Sequence, residues 1–272
     1  MRIRECLCER ISVSQKTPEV NSIILDAITP IFNKKDTLPK PMVVEFLAKY
    51  NNLFTSAIKT GLTAFVKTTY NNDINIRFVN LKQGTGSYLE ENNTINMTTK
   101  LIANLITIKI NQLSGDTDFE NALTAIVNKM AMIFLHELTH ALQVQQGQRY
   151  EYKHGYIERE KVKFFTALVQ DKFATTDEEI KAREIYKSQP DEIAAYGQQA
   201  AVELINKIYK LPTDEQLQGI NIFLKNIASR STHDYSKMRG RTEPGYEKSY
   251  RRFLKSVYQE LDSYKDKLQE LA

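Results

Sequence analysis

With 272 residues, of which 42% are hydrophobic and 26% charged, the chain has apolar material for a sizeable core and is excluded from the disordered and fibrous classes. No run of about 18 apolar residues occurs, which excludes a membrane-spanning helix. A net charge of +4 is too mild to demand a polyanionic partner.

The N-terminus, Met1–Gln15, lacks the apolar stretch and cleavage site of a signal peptide, so a cytoplasmic location is expected. Cys6 and Cys8 are too close for a useful loop-closing bridge and read as a reduced pair. Residues 1–20 are polar and read as an irregular arm. Ile23, Ile24, Ala27, Ile28, Ile31 and Phe32 then predict a short helix over Ser22–Phe32, interrupted or kinked at Pro30. From Met42 to Tyr70, apolar residues at three- and four-residue steps predict one long helix, or two with a break near Asn51-Asn52 or Gly61. The period changes to two at Ile74, Ile76 and Phe78, which marks a strand. Gly84-Thr-Gly86 reads as a turn. Ser87–Glu90 and Thr94–Thr98 read as two short strands around Asn92-Asn93. Leu101 to Ile110 fits a connecting helix, with a strand over Ile106–Ile110 as the alternative.

Thr117-Asp-Phe-Glu120 reads as a capping box, and Gly147 as a stop, for a long and mostly buried helix. Beyond a polar turn at Glu151–His154, helices are expected over Ile157–Phe173, from Thr176 to about Lys187, and from Pro190 to Leu211. Two more follow, from Thr213 to about Ala228 and over Tyr246–Leu268. The fold class is therefore a helix-rich α+β protein with a small sheet immediately before the long helix. Arg230–Lys255 carries eight Lys/Arg against three acids. That stretch reads first as a solvated helix face and second as a nucleic-acid contact.

The long helix holds the chemistry. His136-Glu137-Leu138-Thr139-His140 takes two of the four histidines in the chain. Four residues is one helical turn, so both imidazoles reach one metal ion, for which zinc is usual. Glu137 stands beside that metal, where it takes a proton from the attacking water. A catalytic zinc needs a third protein ligand. Glu192 in Pro190-Asp-Glu-Ile-Ala-Ala-Tyr196 is the first candidate, at a helix start where small Ala195 allows close approach to the motif helix. The competing reading is an acid that favours the helix dipole. His154 is the rival ligand, with His233 and Asp191 behind it. Tyr186, Tyr196 and His154 are candidate donors to the oxyanion.

With His136–His140 and Pro190–Tyr196, the chain resembles a zincin metallopeptidase of the glutamate-ligand, gluzincin-like kind. The resemblance implies a zincin-like small sheet on the motif helix, with additional helices at both ends. It implies zinc on His136, His140 and Glu192, Glu137 as general base, and a protein or peptide substrate paired along an edge strand near Thr94–Thr98. The organisation expected is a helical region over 1–70, a catalytic core over 71–210 and a helical region over 211–272. Gln143 and Gln146 stand where the metzincin extension has Gly and His. The pairing of HELTHALQ with PDEIAAYG is also similar to predicted peptidases of tailed bacteriophages, which implies virion or host partners and a place in the virion or host cytoplasm. Through His154-Gly155 the chain resembles SprT-like proteases, which implies His154 as third ligand and nucleic acid near the basic 230–255 stretch. Two alternatives to a free peptidase therefore stand: a non-catalytic structural protein with this fold, and a nucleic-acid-associated protease.

Overall fold

The computed structural model describes residues 12–34, 43–81, 84–115, 118–145, 190–227 and 246–270. These form a helix-rich α+β structure with seven α-helices and one three-stranded sheet among the described residues. Helix α1 (Thr17–Phe32) begins earlier than expected, with Pro18 in its first turn, where its missing N–H costs nothing. It runs uninterrupted through Pro30, which lies in the last turn and has little helix left to break. The carbonyls at its C-terminal end are met by a buried cation: Lys109 Nζ donates to the carbonyls of Phe32 and Lys34.

Helix α2 (Val43–Tyr70) is a single helix, with no break at Asn51-Asn52 or Gly61. Gly61 instead serves packing. A Cβ there would lie 2.8 Å from Ile23 Cγ2 of α1, so the missing side chain lets the two helices close.

Strands β1 (Asn75–Val79), β2 (Gly86–Leu89) and β3 (Thr94–Thr98) lie in the order β1-β3-β2. Strand β3 runs parallel to β1 and antiparallel to β2. The link between β2 and β3 is a 3-10 turn over Glu90–Asn92 that ends on Asn93 in the left-handed region (φ 47°). Asparagine tolerates that conformation, and its amide is held by Tyr88 Oη and the Asp73 carbonyl. Helix α3 (Thr99–Leu113) follows directly, capped by Thr98, whose hydroxyl accepts from the Lys100 N–H. It is helical throughout, which removes the strand alternative over Ile106–Ile110.

Helix α4 (Phe119–Gln145) is the predicted long helix, and it is buried along most of its length. Thr117 and Gly147, the expected cap and stop, lie outside the described residues. So do the helices expected over 157–173 and 176–187, and the basic positions 230–245. After α5 (Pro190–Ile208), α6 (Thr213–Ile227) and α7 (Tyr246–Glu270) complete the chain. Arg251, Arg252 and Lys255 are exposed on α7, as a solvated helix face requires. No described helix is long and apolar enough to cross a membrane.

Buried side chains form two apolar clusters. The first joins α1, α2, the sheet, α3 and α4, and receives Val202 from α5. The second joins α5, α6 and α7 around residues such as Ile205, Ile220, Phe253 and Val257. Helix α5 has buried residues in both, and the N-terminal segment adds a second link, with Ser12 Oγ donating to Glu260 of α7.

Candidate metal centre

One turn of α4 separates His136 from His140, and their rings stand 5.0 Å apart, edge to face. Glu192, in the first turn of α5, arrives opposite them. Its Oε1 is 3.7 Å from His140 Nε2 and its Oε2 is 4.0 Å from His136 Nε2. The sequence reading of Glu192 as a dipole-favouring surface acid is not what the fold delivers, since the residue is only 6% exposed.

Three contacts pin α5 in this position. Ala195 is fully buried, and its backbone stands close enough to His136 of α4 to act on that imidazole. The Thr139 hydroxyl, within the motif itself, lies 3.0 Å from the Gln198 side-chain amide, and Gln198 is fully buried. From behind, α7 presses on Gly197: a Cβ there would lie 2.4 Å from Ser256 Oγ and 2.5 Å from Ser256 Cβ. Ser256 Oγ also donates to the Ala194 carbonyl. Glycine inside a helix costs about 1 kcal/mol relative to alanine, and this contact accounts for its presence.

His136, His140 and Glu192 form the group of potential metal ligands found among the described residues, with ligand atoms all within 4.8 Å of one another. Donors about 2.1 Å from a tetrahedral zinc stand about 3.4 Å apart, so 3.7 and 4.0 Å need only a few tenths of an ångström of closure. These separations are too long for hydrogen bonds, and each Nε2 is an acceptor in the neutral imidazole that carries its proton on Nδ1. Burial pushes His136 down to about 3, the charge of His140 adds to this, and the Ala195 backbone opposes it. His136 is therefore neutral at pH 7, which is the form that ligates metal. The chemistry of the donor set fits a zinc ion, which would draw together ligand atoms that lie within 4.8 Å of one another.

Glu137 lies beside this group rather than in it and is 7% exposed. Burial pushes its carboxyl up to about 7. His140 acts in the opposite sense, Glu192 raises it further, and a hydrogen bond from the Tyr88 backbone lowers it. That hydrogen bond comes from the outer edge of β2. Because the Thr98 N–H donates to the Thr85 carbonyl, alternation places Ser87 and Leu89 at the bonded positions and turns the backbone of Gly86 and Tyr88 outward.

Strand β3 is correspondingly not the edge strand expected near Thr94–Thr98. It is the central strand, paired on both sides, and all five of its residues are buried. The outer edge next to Glu137 belongs to β2, and no described strand pairs with it. Gly86, read from sequence as part of a turn, begins that strand. Tyr196 lies with its ring 5.2 Å from that of His136, edge to face, which keeps it in contact with the metal-ligand group. His154, Tyr186, His233 and the Asp191 side chain lie outside the described residues.

Sequence reasoning missed Gly86, the Tyr88 backbone, Gln198 and Gly197. The signal available for Gly197 was a glycine within a helical pattern, which points to close packing. In comparisons with protein-family models, curated proteins and solved structures, the chain matches none.

Proposed function

We propose that this chain is a zinc-dependent metallopeptidase in which His136, His140 and Glu192 hold the metal and Glu137 is the general base. The observation that carries the reading is the delivery of Glu192, 52 residues beyond the motif, to within 4.0 Å of both motif imidazoles. A carboxylate left out of that group stands beside it, in the position of a base. A structural site would close all four positions with protein ligands, whereas the three among the described residues leave one for chemistry.

Zinc bound there would supply Lewis acidity toward water and a peptide carbonyl. Glu137 accepts the proton of the attacking water and delivers it to the leaving amine as the C–N bond breaks. The Tyr88 N–H orients the carboxylate. Among the described residues Tyr196, whose ring packs on His136, is the candidate oxyanion donor.

The test is cleavage of an unstructured protein substrate by wild type and Glu137→Ala, with zinc measured in both. The expected result is a loss of about 100-fold or more in kcat with zinc retained. Equal cleavage by the two proteins contradicts the assignment of the base, and no cleavage by zinc-loaded wild type contradicts the activity.

A further inference from the structure

The sequence contains two glycines one residue apart, Gly84 and Gly86, and the structure separates their reasons. Gly84 has φ +75°, a backbone conformation that favours glycine, and a Cβ there would meet only the Gly86 carbonyl at 3.7 Å. Gly86 has no positive φ. It lies in a regular strand, paired opposite Met97, where glycine costs stability and has no backbone reason to be. What glycine gives there is space. A Cβ on Gly86 would stand 2.7 Å from Glu137 Oε1, 2.9 Å from Glu137 Cγ and 2.7 Å from Ile133 Cγ2. Ile133 and Glu137 are one turn apart on α4, so β2 lies across that stripe with its backbone against the carboxylate.

We propose that Gly86 is a positioning residue for Glu137: its missing side chain forms the seat that lets the edge of β2 hold the carboxylate beside the metal ligands. The seat has two parts. The Gly86 Cα supplies the floor, and the Tyr88 N–H, two residues along the same outward-facing set, supplies the hydrogen bond. A methyl group at Gly86 lifts the carboxylate off that floor. The three nearest atoms it meets belong to Glu137 and Ile133, not to His136, His140 or Glu192. The carboxylate and the metal group are thus positioned by different elements, β2 for the base and α5 for the third ligand.

The catalytic consequence rests on the peptidase reading, so the experiment has one arm that does not. In the full-length chain, Gly86→Ala is made in wild type and in Glu137→Ala, and urea midpoints are compared. The shift caused by Gly86→Ala is expected to fall by half or more when Glu137 is shortened, leaving the part due to Ile133. Gly84→Ala, whose cost is backbone strain, is expected to shift the midpoint equally in both backgrounds. A Gly86→Ala shift that is the same with and without the Glu137 carboxylate overturns the proposal, whatever the activity. In the second arm, Gly86→Ala is expected to keep its zinc and its KM while kcat falls by about 100-fold, the cost of a base displaced by about 1 Å. An unchanged kcat also overturns it. If wild type cleaves nothing, the peptidase reading fails, and the midpoint comparison still decides the role of Gly86.

Discussion

In metal-free protein, Glu137→Gln is expected to stabilise the fold in a pH-dependent way. The Glu137 carboxyl has a folded-state pKa of about 7 against an ordinary value of 4.5. Between those values the folded chain keeps a proton that the unfolded chain has released, so stability falls as pH rises through the window. At about 1.4 kcal/mol per pH unit, the total is about 3 kcal/mol. His136 works in the opposite sense. Its folded pKa of about 3 lies below 6.5, so its contribution to stability rises with pH between those values. The two slopes oppose each other between pH 4.5 and 6.5, and wild type shows little of either there. Glutamine has the shape of protonated glutamate and does not ionise. The difference between variant and wild type is therefore near zero below pH 4.5 and grows to about 3 kcal/mol above pH 7. Thermal melts of chelator-treated protein measure it. At about 2–4 °C per kcal/mol, Glu137→Gln melts roughly 6–12 °C above wild type at pH 7.5 and close to it at pH 4. A constant difference at the two pH values would refute the reasoning, because a charge-independent effect of the substitution does not titrate.

Two further outcomes follow from the contacts that fix α5. Gly197→Ala places a methyl group within 2.5 Å of Ser256 and is expected to cost about 1–3 kcal/mol in urea denaturation, with partial recovery in Gly197→Ala/Ser256→Gly. Thr139→Val keeps the shape of the motif helix but removes the 3.0 Å contact to fully buried Gln198. Its expected cost is about 1–3 kcal/mol, largely recovered when Gln198→Met removes the stranded amide as well.

The motif was legible because its geometry is local. Two histidines and a glutamate at these offsets share a helix face wherever the helix goes. Glu192 was legible only as a type, a carboxylate at a helix start followed by alanines. Its burial opposite His136 and His140 depends on contacts from Thr139 and Ser256, 53 residues before and 64 after it. Strand order was not legible. The alternation of Ile74, Ile76 and Phe78 and the turn at Asn92-Asn93 mark strands, but they do not say that β3 pairs with both neighbours and leaves β2 outermost. Gly86 was absorbed into a turn because its true reason, the carboxylate of Glu137, comes from a helix 51 residues downstream. The breaks allowed at Pro30 and near Gly61 do not occur, for a related reason. Pro30 and Gly61 are local breakers by rule, yet one falls in a last turn and the other is needed where α1 crosses α2.

The central claim is that α4 and α5 together make one zinc site, and its most direct test is zinc per chain by mass spectrometry of metals on folded protein after reconstitution and gel filtration. One zinc is expected in wild type and none in Glu192→Ala, with the circular dichroism of the helices preserved. Zinc retained at one per chain in Glu192→Ala, or none in reconstituted wild type, would contradict it.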